Sequence, residues 1–396
     1  MQFFPWTEKL RLARSLLTKT APAYVQFYVT ARCDLECEQC NIIYGHADCP
    51  EMSIPQIRKM AENLAEIGVC IVLLIGGEPF VRKDLPQIVQ CFSDCGIHTR
   101  LQTNGLASRT MLEACVAAGA HDISISLDTL DPQLQDSINS RKGSWARTMK
   151  TISIVNEVFP HNGTGFFGYV LMPKNYAHAI DVAEFASQIG WWISLVPVHV
   201  TSETCPRGFR CFSKDSACKF EERDYPKVHK VIDALKKRRQ KGFNLYDADE
   251  YLEDVERFVC NRPVRWRRKN FGLCDSPSLY FAIDPSGNLQ PCCDYRLEKS
   301  FSVYDSSFPK WFRSGIIHEH VIVITQHCEG CMYGSYPEIT VSARYLPETI
   351  RRTLFFNFNA GGTLQPLSEA QLMEKAAHIY QANAAFRKSI ENYQRL

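Results

Sequence analysis

Apolar and polar positions alternate along residues 23–200 in a repeating series of strands and helices. Residues 23–30 are rich in Tyr, Phe and Val, which predicts a buried strand. Apolar residues then recur at helical spacing from Ser53, which opens a capping box, to Gly68. The predicted strands are residues 23–30, 69–75, 97–102, 123–127, 166–172 and 191–198, and the predicted helices between them are residues 53–68, 84–96, 108–118, 131–158 and 176–189.

Six strands that alternate with helices predict a parallel sheet with right-handed crossovers. Such a sheet curls into a barrel or partial barrel, with functional groups at the carboxyl ends of the strands. The predicted fold is α/β, a partial (β/α)6 TIM-like barrel. A small C-terminal domain of a β-hairpin and helices is expected to follow it.

Two further helices are predicted at the ends of the chain. Residues 1–22 have the pattern of a short amphipathic leader helix. Near the C-terminus, Ser368 and Gln371 form a capping box at the start of another amphipathic helix. That helix either packs on the barrel or joins two protomers.

Composition narrows the functional classes. The chain has 396 residues, of which 45% are apolar and 22% charged, so it can bury a large core. Its net charge of +2 argues against a general nucleic-acid or membrane binder. Seventeen cysteines without a signal-peptide pattern predict a reducing cytoplasm and metal or cluster chemistry. No apolar run reaches the ~20 residues of a membrane span.

Three of these cysteines, Cys33, Cys37 and Cys40, lie on the loop that follows the first strand, at a C-x3-C-x2-C spacing. Three thiolates this close can each bind a different iron of a [4Fe–4S] cluster. The fourth iron would then be open to a small molecule. Zinc is the main alternative, because it also binds clustered thiolates, and three core cysteines on one helix face are a further one.

The second strand ends in Gly76-Gly77-Glu78-Pro79. Two glycines allow close approach of the backbone to a ligand and are expected to leave amide N–H groups free to donate. Glu78 adds a carboxylate that suits an ammonium group. Alone, the same tetrapeptide is also typical of an ordinary turn between a strand and a helix.

The cysteine motif after the first strand and GGEP after the second resemble the radical S-adenosylmethionine (radical SAM) enzymes over roughly residues 23–200. The resemblance implies that the three cysteines hold a [4Fe–4S] cluster whose open iron chelates S-adenosyl-L-methionine. It further implies roles in cofactor binding for Gly76, Gly77 and Glu78 at the methionyl end, for Asn104, Ser126 and Asp128 in the cleft, and for Arg141 near the carboxylate.

One position departs from the pattern of that family. The residue before the third cysteine is usually aromatic and backs the adenine, but here it is Gln39. Another side chain, with Tyr44 as a candidate, is expected to cover the adenine.

A second cysteine group lies towards the C-terminus. Cys274 and Cys292 flank LYFAIDPSGNLQPC, which has a hairpin signature, and Cys328 and Cys331 form a C-x2-C pair. Four thiolates suit either a fully ligated [4Fe–4S] cluster or structural zinc. The pattern resembles the auxiliary-cluster region of SPASM and twitch radical SAM enzymes, in the shorter twitch form. Cys293 is an alternative to Cys292, and Cys205, Cys211, Cys218 and Cys260 are candidates for a third metal site.

The resemblance implies a radical SAM oxidoreductase. Such an enzyme cleaves S-adenosylmethionine reductively to a 5′-deoxyadenosyl radical, abstracts a substrate hydrogen and passes an electron to the auxiliary cluster. The expected substrate is a small biosynthetic metabolite; the alternatives are a ribosomal peptide that gains thioether or carbon crosslinks, and a non-enzymatic iron–sulfur or zinc protein. A flavodoxin or ferredoxin is the implied electron donor.

The predicted domains are a leader helix (1–22), a radical SAM partial barrel (23–225), a helical linker (226–273), a SPASM/twitch-like auxiliary [4Fe–4S] domain (274–340) and a C-terminal helical tail (341–396).

Overall fold

In the described part of the chain, eight strands form one sheet in the order β6-β5-β4-β3-β2-β1-β7-β8. The computed structural model describes residues 6–40, 49–199, 218–267, 274–293, 295–326, 328, 330–354 and 364–393. The strands are β1 Tyr24–Tyr28, β2 Ile71–Ile75, β3 His98–Thr103, β4 Asp122–Ser126, β5 Gly165–Leu171, β6 Trp192–Pro197, β7 Tyr280–Ile283 and β8 Leu289–Gln290.

Helices connect the first six strands and cover the outer face of the sheet. Towards the N-terminus they are α1 Trp6–Thr18, α2 Ile54–Glu66, α3 Leu85–Asp94, α4 Arg109–Ala117, α5 Pro132–Ile138, α6 Ser144–Val158 and α7 Ala179–Gln188. The later helices are α8 Tyr225–Gln240, α9 Asp249–Val259, α10 Phe308–Arg313, α11 Ile316–Thr325, α12 Ser335–Arg344, α13 Leu346–Leu354, α14 Glu369–Ala382 and α15 Ala384–Glu391.

The first six strands are parallel throughout, as their alternation with helices predicts. Each strand buries one set of alternate side chains against the helices and turns the other set towards the inside of the curved sheet. On β3, for example, Thr99 and Leu101 are buried while Arg100 and Gln102 face the interior cavity. The predicted α/β partial barrel is confirmed.

The predicted C-terminal hairpin is present, but it is part of the barrel sheet. Strand β7 pairs in parallel with β1, and β8 returns antiparallel to β7. The backbone amides of Ala23 and Tyr24 both donate to the carbonyl of Leu279, at 2.9 and 3.2 Å. This addition covers the edge of β1 that faces away from β2, and an unpaired edge there would expose backbone donors and acceptors.

Helix α12 lies across the open side of the partial barrel. Its Ser335 and Tyr336 hydroxyls donate to the Tyr24 hydroxyl at 3.0 Å and to Gln26 Oε1 at 2.8 Å. From the same helix, a Glu338 carboxylate oxygen accepts the backbone N–H of Ala248 at 2.9 Å. Helix α12 therefore joins β1 to the segment that follows β6.

The C-terminal tail packs on the barrel helices, as one of the two sequence-based alternatives expects. The capping box at Ser368 is present, and the predicted helix divides at Asn383 into α14 and α15. Arg387 pairs with the fully buried Asp181 of α7 at 2.6 Å. The Tyr380 hydroxyl donates to Asp131 at 2.8 Å. Within the described ranges, none of the helices combines the length and the apolar character that a membrane crossing requires.

Candidate active site

The three cysteines of the N-terminal motif line one cavity at the carboxyl ends of the strands. Cys33, Cys37 and Cys40 are all partly buried, on a loop that leaves β1. The cavity has a volume of about 340 Å³ and extends into the barrel interior. The carboxyl ends of parallel strands are where α/β barrels place their reactive groups.

Ion pairs tie this loop, which has no regular secondary structure, to its surroundings. Arg32 makes two hydrogen bonds to Glu51, at 2.8 and 2.9 Å. Further along, Lys174 pairs with Glu38 at 2.5 Å. These contacts attach the cysteine loop to the chain before α2 and to the chain after β5, so the thiols are held in place from two directions.

Hydrogen bonds reach the first cysteine sulfur from the protein. The backbone N–H of Leu35 donates to Cys33 Sγ at 3.4 Å, and Asn104 Nδ2 donates to the same sulfur at 3.9 Å. Burial raises the pKa of the Cys33 thiol to about 11 and that of Cys37 further. A positively charged metal centre reverses this shift, because it favours the thiolate. Two N–H groups therefore point at the Cys33 sulfur, although burial alone favours its protonated form. This arrangement suits a thiolate that is bound to a cluster.

The two glycines of the GGEP motif pack against the backbone of the cysteine loop, which leaves no room for a side chain at either position. A Cβ on Gly76 would lie 2.3 Å from the carbonyl oxygen of Thr30, and one on Gly77 would lie 2.2 Å from that of Arg32. The expectation of free amides is wrong for two of these residues. The N–H groups of Gly77 and Glu78 donate to Thr30 and Arg32 carbonyls, both at 2.8 Å, because the parallel pairing of β1 and β2 continues past the strand ends.

The Glu78 carboxylate lies in the cavity wall and is only 2% exposed. One of its oxygens accepts the N–H of Phe80 at 3.1 Å, and the other accepts the N–H of Asn104 at 2.6 Å. Burial raises the pKa of Glu78 to about 7, against the opposing effect of these amides. The residue therefore joins the ends of β2 and β3 and still offers oxygen lone pairs to the cavity.

The other predicted cofactor-binding residues divide into two groups. Asn104, Ser126 and Asp128 line the same cavity as the cysteines. Asp128 accepts the N–H of Val170 at 2.7 Å, and burial raises its pKa to about 7. Arg141, in contrast, is not among the residues that line the cavity. It donates to the backbone carbonyl of Asp34 in the cysteine loop at 2.8 Å.

The unusual Gln39 also lines the cavity. Its buried Oε1 atom has no hydrogen-bond partner among the described residues. A buried, unpaired oxygen of this kind suits a hydrogen bond from a donor on a bound ligand. Tyr44, the predicted cover for the adenine, lies outside the described residues.

The hairpin brings the ends that carry Cys274 and Cys292 together. The Ser276 hydroxyl donates to the Pro291 carbonyl at 2.6 Å, one to two residues from these cysteines. Amides again donate to sulfur: that of Tyr295 to Cys292 at 3.4 Å, and that of Gly330 to Cys328 at 3.3 Å. The thiols of Cys274 and Cys331 both lie near the Tyr280 hydroxyl, whose pKa burial raises first and these two sulfurs raise further.

The assignment of auxiliary-cluster ligands to Cys274, Cys292, Cys328 and Cys331 stays a prediction. Among the described residues, no group of three or more His, Cys, Asp or Glu side chains stands ready to hold a single metal ion. Of the candidates for a third site, Cys218 and Cys260 are buried, and Cys205 and Cys211 lie outside the described residues.

Cys293 has a different environment from its neighbour Cys292. It lines the main cavity, where its sulfur accepts the Tyr28 hydroxyl at 3.0 Å and donates to Gln26 Oε1 at 3.4 Å. The auxiliary region therefore adjoins the barrel cavity directly through Cys293 and β1.

Polar side chains inside the barrel were not predicted from the sequence. They line the cavity beneath the cysteine loop and are Gln26, Arg100, Gln102, Ser124 and Ser194. The signal was available in the strand sequences, because polar residues alternate with buried ones in HTRLQT and DISIS.

Comparison with known proteins agrees with this geometry. Residues 27–186 match the family model of the Radical SAM superfamily. AlbA, the antilisterial bacteriocin subtilosin biosynthesis protein of Bacillus subtilis (strain 168), is 25% identical over 328 residues, which cover 80% of this chain and 66% of AlbA. The PqqA peptide cyclase of Xanthomonas oryzae pv. oryzae (strain MAFF 311018) is 35% identical over 131 residues, which cover 33% of this chain and 35% of the cyclase.

A solved structure supports the fold. Streptococcus suis SuiB bound to precursor peptide SuiA matches with a TM-score of 0.59 and 16% identity, over 86% of this chain and 77% of that one. The chain spans just under two thirds of AlbA and about a third of the cyclase. A second structure of Streptococcus suis SuiB, 17% identical over 83% of this chain, was solved with bound S-adenosylmethionine, which agrees with the predicted cofactor. Residues 27–186 of this chain therefore match a radical SAM domain, as the cysteine motif and GGEP lead us to expect.

Proposed function

We propose that this chain is a radical SAM enzyme that modifies a peptide. The observation that carries the proposal is the convergence of Cys33, Cys37 and Cys40 on a cavity that continues into the barrel. AlbA is named for the biosynthesis of a bacteriocin, the cyclase for the peptide PqqA, and SuiB was solved with a precursor peptide. The sequence alone favours a small metabolite, but these relatives favour the peptide alternative.

In this proposal, Cys33, Cys37 and Cys40 hold the N-terminal [4Fe–4S] cluster. When bound, this cluster and S-adenosyl-L-methionine supply the radical that abstracts hydrogen. Glu78 and Asp128, both buried in the cavity wall, accept hydrogen bonds from the cofactor, and the Gln39 oxygen accepts another. Because backbone amides hold the carboxylates of Glu78 and Asp128, these two acceptors are already oriented before the ligand arrives.

Cys274, Cys292, Cys328 and Cys331 would hold the auxiliary cluster, which would supply a one-electron acceptor for the substrate radical that hydrogen abstraction leaves. Amide hydrogen bonds to Cys292 and Cys328 tune such a centre. Cys293, the neighbour of Cys292, lines the cavity and accepts the Tyr28 hydroxyl, so the auxiliary region adjoins the cavity wall. A flavodoxin or ferredoxin supplies the electron that starts each turnover.

The peptide proposal is tested with the protein reconstituted anaerobically with iron and sulfide. Short peptides encoded beside its gene are incubated with it, S-adenosyl-L-methionine and dithionite, and their masses are measured. We expect one of them to lose two hydrogen atoms per modification, as a new thioether or carbon crosslink requires. The Cys33→Ala variant is the control and should leave that peptide unchanged.

The opposite pattern would overturn the peptide assignment. A small alcohol or sugar that is oxidised while every encoded peptide keeps its mass would restore the metabolite as the substrate. The radical SAM chemistry itself would survive that outcome.

A further inference from the structure

A positively charged side chain lies inside the barrel, below the level of the cysteines. Arg100 occupies the third position of β3, on the face that also carries Gln102. It is partly buried, and it lines the same cavity as the cysteine motif. Asn104, which donates to Cys33 Sγ, follows Arg100 by four residues. Four residues of strand span ~13 Å, so Arg100 lies about that far below the cysteine loop.

The Arg100 guanidinium is not bonded to any carboxylate within the described part of the chain. It makes no hydrogen bond or ion pair there, and its contact is with the Phe166 ring, whose centroid is 4.2 Å away. Phe166 is in turn held edge-on by Tyr246, at 5.3 Å and 89°. An arginine stays charged inside a protein, so an interior arginine is normally paired. Here the stacking fixes the group and leaves its five N–H donors available.

The carboxylate that is paired with Arg100 in the sheet register is hydrogen-bonded to other residues. Arg100 and Asp122 are paired positions of β3 and β4, but no ion pair joins them. Asp122 instead contacts His98 Nε2 at 2.6 Å and accepts the N–H of Thr164 at 2.9 Å. Asp122 therefore acts on Arg100 only from a distance, and the described residues offer the guanidinium an aromatic ring but no hydrogen-bond acceptor.

Two further groups share this part of the cavity. Tyr24 and Ser335 both line it, and the Ser335 hydroxyl donates to the Tyr24 hydroxyl at 3.0 Å. The Arg100 charge favours ionisation of Tyr24, although burial outweighs it and raises the pKa of that phenol to about 12. Tyr24 is thus a neutral hydroxyl near the guanidinium and can donate to an anion bound there.

We propose that Arg100 binds a carboxylate of the substrate at the inner end of the cavity. The proposal rests on the proposed function, because it concerns the substrate of the same site. A single guanidinium matches one carboxylate in a two-point hydrogen-bonded pair. A doubly charged phosphate fits less well, because Glu78, Asp128 and Glu338 line the same cavity and add negative charge.

This contact defines the substrate more closely. A peptide that places a carboxylate on Arg100 spans the ~13 Å to the level of the cysteine loop with about four residues of extended chain. The carboxylate belongs either to an Asp or Glu side chain or to the C-terminus of the peptide. In both cases Arg100 sets which carbon atom reaches the reactive end of the cavity.

Binding of capped amino acids to the reconstituted, S-adenosyl-L-methionine-loaded protein tests this inference without turnover. One pair of probes is N-acetyl-glutamate methylamide and its glutamine counterpart; the other is N-acetylglycine and N-acetylglycinamide. Affinities are measured by saturation-transfer NMR. We expect at least one acid to bind about tenfold more tightly than its amide, since a charge-assisted pair contributes about 1.4 kcal/mol more. The acid with the greater preference identifies the source of the carboxylate.

Variants at Arg100 show whether this residue is responsible. Arg100→Met keeps an apolar stem against Phe166 and should remove the preference for acids, and Arg100→Lys should keep part of it. Arg58→Met, which removes an exposed pair with Asp94, is the matched control and should bind like the unchanged protein. Melting temperatures establish that each variant is folded. If Arg100→Met does not fold, the reduced preference for acids is tested with Arg100→Lys instead.

Equal affinity for acids and amides would overturn the inference, as would an acid preference that persists in Arg100→Met. The affinities are measured before the clusters are reduced, so their outcome does not depend on whether the protein cleaves S-adenosyl-L-methionine. That function fails instead if the unchanged protein, once reduced, produces no 5′-deoxyadenosine.

Discussion

Replacing Cys37 by alanine is expected to abolish cleavage of S-adenosyl-L-methionine and to remove one cluster. The reconstituted protein should contain about eight irons per chain if both sites hold [4Fe–4S] clusters, and the Cys37→Ala variant about four. The reason is that three thiolates already leave one iron open, so two cannot retain the cube. Iron analysis and mass spectrometry of 5′-deoxyadenosine measure the two effects together.

The matched control for Cys37→Ala is Cys115→Ala. Cys115 is a fully buried thiol of α4 that packs in the core, and burial alone raises its pKa to about 12. Its replacement should leave both the iron content and the cleavage activity intact. Full iron in Cys37→Ala would contradict the assignment of the N-terminal ligands. About four irons and one zinc in the unchanged protein would make the C-terminal site structural.

The second large effect is expected for Gly77→Ala. The new methyl group would lie 2.2 Å from the Arg32 carbonyl oxygen and 2.6 Å from that of Ala31. The loop cannot easily move away, because Arg32 is bonded to Glu51 through its side chain and to Glu78 through its carbonyl. Such overpacking against backbone should lower the free energy of unfolding by ~3 kcal/mol or more. Denaturant unfolding measures this loss, and a low yield of folded protein would be its extreme form.

A second glycine provides the control for that experiment. Gly168 also faces the cavity, from β5, but a Cβ there would come no closer than 3.6 Å to Ser124 Oγ. Gly168→Ala should therefore change the free energy of unfolding by less than ~1 kcal/mol. Equal losses in the two variants would contradict the idea that contact with the cysteine loop is what requires glycine at position 77.

Local patterns were enough to predict the barrel but not the full extent of its sheet. The predicted strand 69–75 is β2, Ile71–Ile75, and the predicted strand 191–198 is β6, Trp192–Pro197. Periodicity and turn residues are local, so a single sequence carries them. Pairing of β7 with β1 joins residues more than 250 positions apart, and no local pattern specifies which strand covers which edge.

In the candidate site, too, the features set by local sequence were predicted and those set by long-range contacts were not. Spacing alone was enough to select Cys33, Cys37 and Cys40, because cluster ligands on one loop are close in sequence. The contact of Arg141 with Asp34 was not predicted, since an exposed arginine has many possible partners before the chain folds. Arg100 was missed although it alternates with buried residues in β3, because only the curvature of the sheet shows that this face encloses a cavity.

Mass spectrometry of the anaerobically reconstituted, dithionite-reduced protein with S-adenosyl-L-methionine tests the central claim most directly. The arrangement of three thiols around one cavity predicts 5′-deoxyadenosine and methionine in equal amounts, and neither product in the Cys37→Ala variant. A protein that carries its full complement of metal, with Cys33, Cys37 and Cys40 all bound to a thiolate-saturated ion, and that forms no 5′-deoxyadenosine, would contradict the claim.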